Sequence, residues 1–336
     1  MSARGPLSEQ LIAALSRDPG DAAGLPDFST TVEAALASDA PIARDEDIQL
    51  SLLILYGLHY GSFASVSAEW EWQPELITAR RALERAFEAE LRAAIALPPL
   101  PAPNRAAVAK ALSALTAAEG GPSLSRYVAK KATNEQLGEF LIQRSVYTLR
   151  EADPHSWAIP RLTGRPKAAL VEIQADEYGG GRAARMHSEI YANTMRSFGL
   201  DASYGHYIAV VPAITLASLN VMSMFGLNRR LRGAIVGHLA AFEMTSSIPN
   251  GMYARGFTRL GYDTAVTEYF DEHVAADAVH EQIAAHDLAG ALAEDEPDLL
   301  EDILFGAAAC LVVDGWAAEH MLDSWTAERS SLRTER

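Results

Sequence analysis

The chain has 336 residues, of which 49% are hydrophobic and 21% are charged, and its formal net charge is −16. This composition is typical of a globular protein with a full core, and the negative field repels nucleic acid, so we expect no nucleic-acid partner. The single cysteine, Cys310, excludes an intramolecular disulfide and has apolar neighbours. Any metal site must therefore use histidines and carboxylates.

The amino-terminal residues contain no apolar run as long as that of a signal peptide. The longest uncharged stretch, 202–228, is interrupted by polar residues and by Pro212, which favours a buried core helix over a membrane span. We therefore expect a cytoplasmic protein with no membrane partner.

Apolar residues recur at helical spacing along the chain and alternating strand patterns are scarce, so the sequence predicts an all-α fold. The proline-rich segment 97–104 breaks this pattern, because proline fixes φ and has no backbone N–H to donate. We interpret it as the end of an N-terminal helical arm, 1–104, that precedes a main domain, 105–336. The apolar run 50–57 in the arm needs a covering surface, which a homodimer would supply. In chain order the predicted helices are 7–15, 45–65, 74–97, 104–118, 133–152, 167–198, 204–225, 228–247, 264–289, 296–314 and 315–332, with turns at 152–166 and 247–256.

The strongest chemical pattern is His273-x₃-Asp277-x₂-His280. Offsets of four and seven residues return to nearly the same direction on an α-helix, so these side chains form one column about two turns long. Two imidazoles with a carboxylate between them are suitable ligands for iron, zinc or manganese. The alternative is a solvated helix face with satisfied histidines.

A second pattern lies in 171–191, where Glu177 precedes His187 by ten residues. On a continuous helix the two would be roughly 80° apart, with small residues between them that leave room for an ion. The three glycines 179–181 cost helix stability, on the order of 1 kcal/mol each, and so indicate close backbone approach or a kink. A loop at the glycines beside an acidic surface run is equally open.

Glu243 is the third potential ligand, because its sequence neighbours are apolar and a buried, unpaired carboxylate is costly. A wet position at a helix edge is the alternative. Together the three patterns supply three carboxylates and three imidazoles, a complement suited to two Fe(II) ions that react with O₂. Without metal these carboxylates repel one another, so we expect at least one of them to have a raised pKa.

The chain resembles the haem-oxygenase-like di-iron oxidases and oxygenases, a family of iron-containing redox enzymes. The resemblance covers about residues 125–330 and rests on the histidine–aspartate column, on the spacing of Glu177 and His187, on the DEYGGG segment and on the lone Glu243. It implies a seven-helix haem-oxygenase-like fold that holds two irons rather than haem. The implied metal ligands are Glu177, His187, Glu243, His273, Asp277 and His280.

The resemblance also implies that O₂ is used to oxidise a small molecule: an amine, an amino acid or a carboxylic acid. The implied reactions are N-oxygenation, oxidative C–C cleavage and desaturation. Some members carry a further glutamate three residues before the helix histidine, where this chain has Ala184. Glu151 is one more carboxylate that such a site could use, and a surface position is its alternative.

Two other classes of protein compete with this interpretation. The His286-Asp287 dipeptide suggests an HD-type phosphohydrolase, but His286 lies six residues after His280 and so points about 120° away from the column. A ferritin-like site needs two Glu-x-x-His motifs, which the sequence lacks, whereas a non-catalytic metabolite-binding bundle needs no clustered ligands. The arginines available for a substrate carboxylate, or for a solvated helix start, are Arg182, Arg185, Arg229, Arg230 and Arg232.

Overall fold

The computed structural model describes residues 2–19, 28–117 and 123–334, and of residues 275–278 it describes only the helical backbone. Every regular element within those residues is a helix, so the all-α prediction is confirmed. None of the described helices is long and apolar enough to cross a membrane. The α-helices are α1 (Pro6–Leu15), α2 (Phe28–Leu36), α3 (Glu46–Tyr60), α4 (Pro74–Ala94), α5 (Arg105–Thr116), α6 (Leu124–Lys130), α7 (Asn134–Thr148), α8 (Asp153–Ser156), α9 (Gly164–Glu177), α10 (His187–Phe198), α11 (Ala213–Leu227), α12 (Arg232–Met244), α13 (Ser247–Arg259), α14 (Thr264–Gln282), α15 (Ala291–Asp295) and α16 (Leu300–Thr326).

Two helices beside the potential ligands, α7 and α14, begin at side-chain caps. At the start of α7, Thr133 accepts a hydrogen bond from the backbone N–H of Gln136, whose side chain accepts one from the backbone N–H of Thr133. At the start of α14, the carboxylate of Asp263 accepts from the backbone N–H of Ala265 at 3.1 Å. Such caps satisfy N–H groups that have no partner inside the helix, and they fix where each helix begins.

The closest helix crossing in the core joins α12 and α16. A Cβ atom on Gly237 would lie 1.8 Å from the carbonyl oxygen of Ile303, and one on Gly306 would lie 1.9 Å from that of Ala234. Only glycine permits this approach, because any side chain would push the two backbones apart. The crossing fixes the position of α12, which carries Glu243 close to its C-terminal end.

The N-terminal helices pack on the same hydrophobic core as the rest of the chain. Leu11 of α1, Leu52 of α3 and Phe87 of α4 belong to one buried cluster with Phe225 of α11 and Phe305 of α16. The run 50–57 is buried inside the chain, so it does not need a second subunit to cover it. The homodimer and the division at residue 104 stay predictions.

Several predicted boundaries are wrong, and three of these errors change how the chain divides into helices. The predicted helix 167–198 is interrupted between α9 and α10. The predicted turn 247–256 is part of α13, where Pro249 occupies the first turn and its missing N–H removes no helical hydrogen bond. The predicted helices 296–314 and 315–332 are one continuous helix, α16, because an isolated glycine at 315 costs only about 1 kcal/mol and the helix is well buried.

Candidate metal centre

Five separate segments bring buried histidines and glutamates to one place. Within the described side chains these residues form two groups of potential metal ligands, and in each group the ligand atoms lie within 4.8 Å of one another. We call them site one and site two, and Glu177 belongs to both. Site one consists of Glu151, Glu177, His187 and His273, and site two consists of Glu177, Glu243 and His280.

The carboxylate of Glu177 turns one oxygen toward each site. Its Oε2 atom lies 2.7 Å from Nδ1 of His187 in site one, and its Oε1 atom lies 3.8 Å from Nδ1 of His280 in site two. Glu177 is the last residue of α9 and only 7% exposed, so the carboxylate is held between the sites rather than in solvent. A carboxylate in this position is able to bridge two ions.

A tight turn separates Glu177 from His187 and replaces the continuous helix expected from the sequence. Gly179 has φ +66°, and a Cβ on it would lie 2.5 Å from the carbonyl carbon of Arg185. The turn brings the chain back so that His187 is the first residue of α10 and faces Glu177. Ala184 is exposed in this turn, so it does not lie on a stripe between two ligands.

The histidines of α14 are oriented by hydrogen bonds on their far sides. Nδ1 of His273 donates to the carbonyl oxygen of Tyr269 at 2.8 Å, which leaves Nε2 to face the site, 3.7 Å from Oε1 of Glu151. Nε2 of His280 donates to Oδ2 of Asp176 at 3.1 Å, which leaves Nδ1 to face the site. Such outer partners fix the ring orientation and tautomer of a metal-binding histidine.

Asp277 occupies the helical position between these histidines, but its side chain lies outside the described residues. Its assignment as a ligand therefore stays a prediction. Directly after α14, the chain continues as a π-helix over Ile283–Gly290. Such wide turns occur frequently beside functional sites.

Glu151 lies in the turn that follows α7 and is buried in site one. The next residue, Ala152, has φ +75°, a conformation that costs a non-glycine residue of order 1–3 kcal/mol and is enriched at functional sites. The hydroxyl of Tyr269 donates to the Glu151 carboxylate, at 2.7 Å from Oε1 and 2.8 Å from Oε2. Glu151 is thus held by the fold rather than displayed on the surface.

Glu243, the last member of the ligand set, is 5% exposed, so it does not occupy the wet helix edge that was its alternative. Its Oε2 atom lies 3.3 Å from Nδ1 of His280. It lies one residue before the end of α12, and the tight packing of that helix on α16 holds it opposite α14.

The charges of the two sites perturb one another. Burial raises the pKa of Glu177 well above its usual value, and the carboxylates of Glu151 and Glu243 raise it further, as expected for crowded carboxylates. Burial lowers the pKa of His273, but the facing Glu151 outweighs this and the pKa rises to about 9. For His280 burial acts the same way, and Glu243 raises the pKa to about 9.

Other residues that the sequence suggested for chemistry lie outside the two sites. Asp287 forms ion pairs with Arg105 and Arg165, and neither it nor His286 joins a potential metal group among the described side chains. Three of the arginines suggested for a substrate carboxylate have carboxylate partners of their own, and the pairs are Arg185 with Glu272, Arg230 with Glu88 and Arg232 with Glu296.

Sequence reasoning missed three residues around the sites. They are Asp176, Tyr269 and His155, of which the first orients His280, the second holds Glu151 and the third lines the cavity beside the sites. His155 lines a small cavity beside Glu151 and Glu177, and its Nε2 lies 3.2 Å from Nδ1 of His238. No local signal identifies such residues, because their roles depend on contacts with residues distant in the sequence.

A protein-family model described as "iron-containing redox enzyme" matches residues 138–315, more than half of the chain. The chain belongs to this family. The matched region contains all of the potential ligands, from Glu151 to His280. Family membership confirms the predicted haem-oxygenase-like helical fold, and it assigns the chain to the iron-dependent oxidoreductases.

The chain is also similar to the nitrosourea synthase of Streptomyces achromogenes subsp. streptozoticus. The two are 27% identical over 169 residues, which is 50% of this chain and 36% of that protein. The chain thus spans about a third of the length of this relative, so the likeness concerns one region of the synthase.

Proposed function

We propose that this iron-containing redox enzyme is a non-haem di-iron oxidase or oxygenase that uses O₂ to oxidise a small molecule. The observation that carries the proposal is the position of Glu177 between two groups of buried ligand atoms. A single ion would not need two such groups, and a bundle without metal would not need either.

Buried atoms without hydrogen-bond partners support a metal at both sites. Oε2 of Glu177, Nδ1 of His187 and Nδ1 of His280 are buried without a hydrogen-bond partner. The first two lie 2.7 Å apart, so they are close but not aligned for a hydrogen bond. Burying polar atoms in this way is costly unless another partner binds them, and an ion between them would be that partner.

The chemistry of the donor atoms favours iron. Both sites offer carboxylate oxygens and imidazole nitrogens, and the single cysteine is buried elsewhere, beside Asp314. Hard oxygen and borderline nitrogen ligands without thiolate suit Fe(II). Asp277, if it joins site two, would bring that site to four protein ligands.

The residues of the chain would hold the irons, limit access of water and leave room for substrate. Tyr269 holds Glu151, Asp176 orients His280, and the Tyr269 carbonyl orients His273. When bound, two ferrous ions supply the electrons that activate O₂. The cavity beside the sites is small, and the side chains of Tyr147, Leu239 and Phe242 in its lining would limit access of bulk water to the reacting atoms.

Among the reactions considered, oxidation of nitrogen has the best support. A nitrosourea carries an N-nitroso group, so the synthesis of one requires oxidation of nitrogen, and the nitrosourea synthase matches this chain over 169 residues. Oxidative C–C cleavage and desaturation remain the other outcomes of the same chemistry.

The test is an anaerobic titration of metal-free protein with Fe(II), followed by rapid mixing with O₂. We expect binding to saturate at two irons per chain and a transient visible absorption band that is strongest at that ratio. Saturation at one iron, or no reaction with O₂ at two, would refute the di-iron proposal. Near-zero iron binding would instead favour a non-catalytic metabolite-binding protein.

A further inference from the structure

A second, larger cavity adjoins the one beside the metal sites. It has a volume of about 510 Å³, which is within the range of about 300–1,000 Å³ typical of small-molecule sites. Tyr147, Phe242 and Ser246 line both cavities. The rings of Tyr147 and Phe242 meet edge to face with their centroids 5.4 Å apart, so this pair forms the partition between the cavity and the metal sites.

Arg144 lines the larger cavity without a carboxylate partner. Its guanidinium lies over the rings of Phe140 and Tyr253, at 5.5 and 5.8 Å from their centroids. Its Nε is buried without a hydrogen-bond partner. The charge of Glu151 raises the pKa of Arg144, and the charge of Arg144 lowers the pKa of Asp314, but among the described residues neither carboxylate forms a salt bridge with the guanidinium. An arginine remains charged in proteins, so a cation placed here favours an anionic ligand.

Asp314 lines the same cavity from α16. Its Oδ1 accepts a hydrogen bond from the hydroxyl of Ser218 at 2.6 Å, while Oδ2 has only the Cys310 sulfur nearby, at 4.0 Å. Burial raises the pKa of this carboxyl above its usual value, although the Ser218 hydrogen bond and the charge of Arg144 lower it in part. A cation placed beside Oδ2 would stabilise the carboxylate form.

The neighbouring polar groups divide into two kinds. Gln143 is satisfied, because it accepts from Thr215 at 2.6 Å and donates to Ser331 at 2.7 Å. By contrast, Oγ1 of Thr148 and Oδ1 of Asn250 are buried in the cavity lining without partners. The cavity therefore offers one cation, one carboxyl and two spare polar oxygens to a ligand.

We propose that this cavity binds the substrate as a small α-amino acid, with its carboxylate on Arg144 and its ammonium on Asp314. This proposal rests on the proposed function, since it assigns the substrate class of the same enzyme. The side chain of the amino acid would extend past the partition of Tyr147 and Phe242 to the metal sites.

Charge balance selects an amino acid over the two simpler classes. A carboxylic acid would pair with Arg144 and leave Asp314 without a cation, and an amine would do the reverse. An α-amino acid satisfies both in one molecule. Arg144 and Asp314 attract each other across the cavity, but in the described part of the chain no ion pair within 4.0 Å joins them, so each has room for a group of the ligand.

The first test uses the full chain and needs no variant. Thermal unfolding is followed with each of the twenty proteinogenic L-amino acids, and calorimetry then compares the best stabiliser with its deaminated acid and its decarboxylated amine. We expect at least one amino acid to bind, and both matched analogues to bind about tenfold or more weakly. Equal binding of either analogue, or no stabilisation by any amino acid, would overturn the proposal.

The second test assigns the contacts. Arg144→Gln should weaken binding of that amino acid roughly 10–100-fold, and Arg144→Lys should weaken it less, because lysine keeps the charge but loses the planar fork. Asp314→Asn should also weaken binding of the amino acid, and it should reduce the difference in affinity between the amino acid and its deaminated acid. The exposed residues Arg229 and Asp323 supply matched controls, and Arg229→Gln and Asp323→Asn should bind like the wild type.

The substrate proposal and the di-iron proposal can be refuted separately. Calorimetry is performed on metal-free and iron-loaded protein, and the iron content of each variant is measured separately. Two irons per chain without amino-acid binding would refute only the substrate class. Amino-acid binding by a chain that takes up no iron would refute only the di-iron function. Wild-type affinity in both Arg144→Gln and Asp314→Asn would show that the ligand binds elsewhere.

Discussion

Nδ1 of His187 lies 2.7 Å from Oε2 of Glu177, yet the two atoms do not form a hydrogen bond. Both are buried, and both face the centre of site one together with Glu151 and His273. The geometry of this contact is not that of a hydrogen bond, and an ion bound by both atoms would satisfy each of them.

Substitution of Glu151, Glu177 or Glu243 should reduce the iron content of the chain by different amounts. Glu151→Gln should remove the iron of site one and Glu243→Gln that of site two, so each variant should retain about one iron per chain. Glu177→Gln should lose both, because its carboxylate serves both sites. Iron is measured by elemental analysis after anaerobic loading, and Glu172→Gln, an exposed position on the same helix, is the control. Equal iron content in all four variants would contradict the assignment.

Asp176 should affect iron binding although it does not belong to either site. Its carboxylate accepts the Nε2 proton of His280, which holds Nδ1 toward Glu243. Loss of such an outer partner typically costs about 10–100-fold in metal affinity. We expect Asp176→Asn to weaken Fe(II) binding within that range in a chelator competition, with helical circular dichroism unchanged. An Fe(II) affinity equal to that of Glu172→Gln would show that Asp176 does not help to orient His280.

The glycines of the turn before His187 should not be equivalent. Alanine at Gly179 would bring Cβ within 2.5 Å of the Arg185 backbone, whereas Gly180, also at positive φ, has open space around it. Gly180→Ala should therefore cost only backbone strain, about 1–2 kcal/mol, and should keep its iron. Gly179→Ala should displace His187 and lose iron at site one. The same iron content in both variants would show that the turn does not position this ligand.

The stability of the metal-free protein should fall as the pH rises from about 6.5 to 9. The pKa values of His273 and His280 are raised from 6.5 to about 9, so in this interval the folded state binds more protons than the unfolded state. Stability then decreases with pH, and the raised pKa of Glu177 acts in the same direction. The Tm of chelator-treated protein measures this, and His280→Gln should flatten the slope.

The exposed His206 is the control for that slope, and His206→Gln should leave it unchanged. Bound metal requires unprotonated imidazoles, so the stabilisation that a metal gives should increase over the same interval. A metal-free Tm that rises from pH 6.5 to 9 would contradict the electrostatic description of both sites.

Asp277 should contribute to site two. It lies three residues before His280 on α14, and on a helix such positions are neighbours. We expect Asp277→Asn to lower iron binding at site two and Glu281→Gln, one residue after His280, to leave it unchanged. Iron is measured by elemental analysis. A content equal to that of Glu243→Gln, about one iron per chain, would indicate loss at site two alone, whereas a lower content would indicate loss at both sites.

The sequence by itself determined the helical class of the protein and identified most of the potential metal ligands that lie together in the fold. The seven-residue offset of His273 and His280 is a local property of an α-helix, and it could be read without knowledge of any contact. The same holds for the proline-rich break at 97–104, since proline limits its own backbone. The resemblance to iron-containing redox enzymes depended on such local patterns, and the family match over 138–315 confirmed it.

Tertiary structure decided which of these residues meet and what surrounds them. The turn at Gly179, the position of Glu151 after α7 and the cavity between Arg144 and Asp314 each depend on segments far apart in the chain. Periodicity specifies which face of a helix is apolar, but it does not specify which helix covers that face. A carboxylate beyond the end of a helix, or an arginine in a helix of mixed polarity, therefore acquires its role only when the helices pack.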